Sequence, residues 1–186
     1  MFFSDSILNK NREPEKQYGL TDITLKLAIE SKILDTIKTR ITELTNDECK
    51  AIFRKVHWVQ GGCEDMEYPL NLIHFDYVLD IGIASANKGL QVCINDMHGY
   101  SALYVNGFVD HNTKVHLSKL NADQPKLLQF CLNYLAIREE FYRKGSKRKL
   151  RYKEMLPDKL AKLDRLEEIV NQYIMENKIT LPTTPY

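Results

Sequence analysis

The chain has no uninterrupted apolar run near the roughly 18 residues that a membrane-crossing helix requires, and its longest hydrophobic pieces are strand-sized. Glycine and proline are sparse, 8 and 6 of 186 residues, which excludes a collagen-like or low-complexity chain. Cysteine is scarce too. Cys49, Cys63, Cys93 and Cys131 stand 14, 30 and 38 positions apart, with no C-x-x-C pair. A chain of this length builds a core without disulfides, so reduced thiols and a cytoplasmic location are expected. Met1 to Lys10 carries two Phe but neither a basic segment nor a sustained apolar one, so it does not read as a secretory leader. No G-x-x-x-x-G-K-[ST] loop, G-x-G-x-x-G turn or H-E-x-x-H helix occurs, which removes the sequence basis for nucleotide or zinc-protease chemistry. No cofactor and no resident metal are expected.

What is present is the composition of a folding chain, 44% hydrophobic and 27% charged, with the charge unevenly placed. Residues 1–59 are nearly balanced. From Gln60 to Asn112 the only basic residue is Lys88, against Glu64, Asp65, Glu67, Asp76, Asp80, Asp96 and Asp110, a net −6. The remainder carries +6, concentrated between Arg138 and Lys153. Fields of this size steer partners of opposite sign even when the overall charge is only +1.

Hydrophobic periodicity gives the expected elements. Ile29, Ile33, Ile37, Ile41 and Leu44 predict an amphipathic helix begun by Thr21 or Asp22, and Asn46 or Asp47 caps a shorter one ending at Gly61-Gly62. From His74 the period reads as two: Phe75, Tyr77, Leu79, Ile81 and Ile83 alternate with Asp76, Val78, Asp80 and Gly82, as in a strand with one buried face. Further strands are predicted at Leu90–Met97 and Tyr100–Asp110, with a short fourth at Lys114–Ser118. Pro125 opens a helix running to about Lys144, and Pro157 opens a last one with Leu160, Leu163, Leu166 and Val170 as its stripe. The expected fold class is α+β: an antiparallel meander of three to four strands packed against about four helices, in the order α-α-β-β-β-(β)-α-α. The expected organisation is a flexible arm over 1–20, one domain over 21–179 with its C-terminal helix at 155–178, and a tail over 180–186.

Within that frame the candidate chemistry is sparse. Asp80-Ile81-Gly82-Ile83-Ala84-Ser85, followed by a turn and the Leu90–Met97 strand, resembles the first hairpin of an RNase H-like nuclease, in which a strand Asp ligates magnesium. Asp76, Asp80, Asp96, His98, Asp110 and His111 would gather at strand ends, where oxygen-rich ligands suit magnesium or manganese. Cys63 sits in a predicted exposed loop, but Glu64, Asp65 and Glu67 beside it oppose a thiolate. Trp58, Tyr68, Tyr100 and Tyr104 offer aromatic anchors.

The reading these features favour is a non-enzymatic inhibitor or neutraliser, of the general kind of immunity, antitoxin or phage anti-defence proteins. It would engage a protein with a basic surface through Glu64, Asp65, Glu67, Tyr68, Asp76, Asp80, Asp96, Tyr100 and Asp110. Two alternatives stand beside it. One is nucleic-acid binding through Arg143, Lys144, Lys147, Arg148, Lys149, Arg151, Tyr152 and Lys153, where aromatic rings interleave with cations. The other is a metal-dependent hydrolase or nuclease using the strand aspartates. No membrane partner is expected.

Overall fold

The computed structural model describes residues 20, 22–34 and 40–182, and every regular element among them is helical. The chain divides into two compact units, Met1–Gln60 and Gly61–Tyr186. The arm expected over 1–20 lies outside the described residues except for Leu20, as do the last four residues of the expected tail.

The first unit contains α1 (Asp22–Glu30), a 3-10 turn at Ile41–Glu43, α2 (Asn46–Ile52) and a π-helical continuation, Phe53–Val59. Thr45 rather than Asn46 caps α2. Its hydroxyl accepts from the Glu48 amide at 3.2 Å, and the Glu48 carboxylate accepts from the Thr45 amide at 2.8 Å, a reciprocal pairing that satisfies two otherwise orphaned donors. Leu20, Leu25, Ala28, Ile41, Leu44, Cys49, Ile52 and Val56 form this unit's core. The single long helix expected from Asp22 to Leu44 stops at Glu30, and Ile37 falls outside the described residues.

The second unit holds α3 (Leu70–Ile81), α4 (Ile83–His98), α5 (His111–Asn121), α6 (Gln124–Ser146) and α7 (Leu150–Glu176), packed around Leu70, Ile73, Leu90, Ile94, Leu117, Leu128, Phe130 and Tyr134. A 3-10 turn, Cys63–Asp65, and a cis Tyr68–Pro69 peptide lead into α3. The expected β-meander is overturned: no strand occurs among the described residues, and 74–98 forms two helices. Consecutive residues His74, Phe75, Asp76, Tyr77 and Val78 are all buried. A helix enclosed on every side has no single apolar stripe, so its sequence need not show the helical period. The predicted fourth strand is part of α5, whose N-cap Asp110 accepts from the Thr113 amide at 2.9 Å. The hairpin resembling an RNase H-like nuclease is therefore absent as well, because Asp80 lies in α3 and Leu90–Met97 in α4.

Candidate functional site

The acidic face inferred from sequence is largely consumed within the second unit. One helical turn separates Asp76 from Asp80 on α3, so both carboxylates project toward α6 and α7. Asp76 Oδ2 lies 2.7 Å from Arg138 Nη2 of α6, and its Oδ1 lies 2.5 Å from Lys162 Nζ of α7. Asp80 accepts from the Tyr142 hydroxyl and pairs with Lys159. Arg138 also donates to the Ile73 carbonyl at 3.0 Å and lies 4.5 Å over the Tyr77 ring. Burial opposes its charge, but Tyr142 and Asp76 outweigh that and hold the guanidinium pKa above its ordinary value. Burial also drives the Tyr142 phenol well up. This assembly ties three helices together and leaves neither aspartate facing outward.

The other predicted acidic residues scatter. Asp65 pairs with Lys114 at 3.0 Å and Asp110 caps α5, where the Thr113 amide holds its carboxyl below the usual range. Glu64, Glu67 and Asp96 are exposed, and Tyr68 and Tyr100 are exposed rings. No group of three metal-ligating His, Cys, Asp or Glu occurs among the described residues. Cys63, expected in an exposed loop, is fully buried, and burial pushes its thiol up to about 12. It cannot act as a nucleophile from there.

Sequence reasoning missed a ladder of amides. Asn87, Gln91 and Asn95 recur every fourth residue along one face of α4 and grip the backbone of the irregular segment 100–109. Asn87 donates to the Gly107 carbonyl at 3.1 Å. Gln91 accepts from the Gly107 amide at 2.9 Å and donates to the Phe108 carbonyl at 2.9 Å. Asn95 accepts from the Leu103 amide at 2.7 Å and donates to its carbonyl at 2.9 Å. Gly107 has φ +85°, and a Cβ there would meet the Ala84 carbonyl oxygen at 2.8 Å, so only glycine fits. The segment held in this way presents Tyr100, Tyr104 and Phe108, which are 65%, 85% and 70% exposed. A fixed loop carrying three open aromatic rings is a binding surface in form. The signal in the sequence was the i, i+4 spacing of the amides, readable only if polar residues are counted as inward-facing.

Behind this segment His74 is completely enclosed. Two acceptors, the Gly61 carbonyl at 3.0 Å and Asn87 Oδ1 at 2.9 Å, face its Nε2, so Nε2 carries the hydrogen and Nδ1 accepts from the Tyr134 hydroxyl at 2.8 Å. Burial holds its pKa down at about 4 and the imidazole neutral.

The predicted basic residues do cluster. Arg143, Lys144, Lys147, Arg148, Lys149, Arg151, Tyr152 and Lys153 are exposed where α6 turns into α7, whereas Arg138 is withdrawn into the core. A cavity of about 290 Å³ also opens between α6 and α7, with Leu132, Leu160 and Leu163 in its wall beside Glu139, Asp164 and Glu167.

Comparison with known proteins gives a direction. Residues 12–82 match the model of a family described as glycosyl hydrolase 108, a stretch covering under half of the chain. Among solved structures, that of Brucella abortus SagA is similar with a TM-score of 0.59 at 17% identity, over 87% of this chain and 83% of that one. At that identity the likeness speaks for the fold. No curated protein matches the chain. These findings overturn the expectation of an immunity- or antitoxin-like inhibitor, and neither of its alternatives fits them better: of the aspartates in the metal-hydrolase reading, Asp76 and Asp80 lie on a helix in ion pairs and Asp110 caps α5. No helix among the described residues is long and apolar enough to cross a membrane.

Proposed function

We propose that this chain belongs to an enzyme that hydrolyses glycosidic bonds in a cell-wall polysaccharide. The observation carrying this reading is the glycosyl hydrolase match over residues 12–82. The open rings of Tyr100, Tyr104 and Phe108 support it, because the C–H faces of sugar rings pack on flat aromatic surfaces and the amide ladder holds that surface in place. The four buried, unpaired thiols favour a reducing compartment, so in this reading the protein resides in the cytoplasm and meets its polymer on release.

Glycoside hydrolysis ordinarily uses two carboxyl groups, one giving a proton to the leaving oxygen and one acting as base or nucleophile. Within the matched stretch Asp65, Asp76 and Asp80 are engaged in ion pairs. Glu43 and Glu48 accept from the backbone at helix starts. The other glutamates there are Glu13 and Glu15, outside the described residues, Glu30, which pairs with Lys26 at 3.9 Å, and the exposed Glu64 and Glu67.

The test is release of new reducing ends from purified peptidoglycan sacculi and from chitin. Wild-type protein should release them from at least one polymer, and at least one of E13Q, E15Q, E30Q, E64Q and E67Q should cut the rate about 10²–10⁴-fold. Asp76→Asn should lower stability but leave the rate per folded molecule unchanged. A wild-type protein that cleaves neither polymer refutes the reading.

A further inference from the structure

We propose that the turn joining α6 to α7 docks on an anionic phospholipid surface. Between Arg143 and Lys153 seven cationic side chains are exposed. Arg143 and Lys144 pair with Glu139 and Glu140 one turn back, but Lys147, Arg148, Lys149, Arg151 and Lys153 form no ion pair among the described residues. Asp76 and Asp80 do not neutralise them, since both are taken by Arg138, Lys162 and Lys159. α6 and α7 pack along each other, so this charge sits at the end of a helical hairpin.

Charge alone would suit any polyanion; the apolar residues at the same tip select among them. Leu150 is 73% exposed, and Phe141 and Tyr152 are about half exposed. Phosphate-rich polymers offer Leu150 nothing, whereas a lipid interface takes up an aliphatic side chain at the acyl boundary, seats aromatic rings at headgroup level and attracts Lys and Arg through its negative surface potential. The first turn of α7 reinforces this. Its N-cap Lys149 makes no side-chain cap, and no acidic residue stands there to offset the positive end of the helix dipole. The sequence expectation of no membrane contact rested on the lack of a spanning segment, which excludes crossing but not surface attachment. The proposal does not depend on the hydrolase reading, and its test uses no activity.

The experiment is co-sedimentation of the full chain with vesicles of phosphatidylglycerol and phosphatidylcholine, against pure phosphatidylcholine, at low and high salt. Binding is expected to the anionic vesicles only and to weaken with salt. Each cation at the surface is worth about a fivefold change, so K147A/R148A/K149A should weaken binding about 100-fold. Leu150→Ser should weaken it about tenfold or more. All these side chains are exposed, so both variants should keep the wild-type circular dichroism and melting curve. Failure of the wild type to bind anionic vesicles overturns the proposal, as does a triple variant that binds like wild type. So does retention on polyphosphate with Leu150→Ser binding vesicles unchanged, which would assign the tip to soluble polyanions.

Discussion

Arg138 is a cation with no exposed surface, and its environment explains why it stays charged. One side is met by the Asp76 carboxylate, another by the Ile73 carbonyl and its face by the Tyr77 ring, while Nε has no hydrogen-bond partner. Removing such a charge strands its counter-ion. Arg138→Met should therefore cost about 3–5 kcal/mol, measured by urea denaturation, because Asp76 keeps only the half-exposed Lys162. The double variant R138M/D76L should recover much of that loss, since an apolar pair of similar volume carries no desolvation penalty. A double variant as unstable as the single one would mean that the network does more than neutralise Asp76. The charge segregation seen in the sequence was real, but its meaning was internal: part of the −6 segment folds against part of the +6 segment.

The elements read from sequence divide by how they are buried. α6 was legible because Pro125 suits its first turn and its last turn is basic, and α7 because Leu163, Leu166 and Val170 make a one-sided stripe. The sequence puts the start of α7 at Pro157, but the helix begins at Leu150 and Pro157 lies inside it. α3 and α4 look like strands in the sequence for two connected reasons. The alternating pattern puts Asp76 and Asp80 toward solvent whereas they point inward, and Asn87 and Gln91 occupy core positions of α4 beside Leu90 and Ile94. Once charged and amide side chains are allowed inside, Ala86, Asn87, Leu90, Gln91 and Ile94 fall at helical spacing. Gly99 ends α4 in the left-handed conformation, φ +67°, and joins no strands. Of the candidate site, the cationic cluster, Tyr100 and Tyr104 are visible in the sequence; Phe108 and the ladder that holds the aromatic segment are not. Its weight can be measured. Gln91→Leu leaves the Gly107 amide without its partner and the Phe108 carbonyl with only the Thr113 hydroxyl at 3.5 Å, at about 1–3 kcal/mol for the stranded amide. Amide hydrogen exchange over 103–109 should then quicken more than exchange in α6. Equal acceleration in both would show that Gln91 supports the core rather than the loop.

For the molecule as a whole, acid is the revealing stress. His74 has its pKa held at about 4 by burial, against about 6.5 in the unfolded chain, and burial also lowers His57 and His116. The unfolded chain therefore binds more protons than the folded one between these values. The His74 contribution is complete above pH 6.5 and is lost as pH falls toward 4, to the extent of about 3 kcal/mol. Denaturation midpoints measured from pH 7 to 4 should fall accordingly, and His74→Gln should flatten that slope. An unchanged slope would place the acid sensitivity in other groups. The four thiols give the whole chain a further property: Cys49 lies in the first unit and Cys63, Cys93 and Cys131 in the second, every one of them sealed from solvent. Each half thus conceals its own chemical clock, silent until that half breathes open, so alkylation rates resolved by residue would time the two openings separately without any added label.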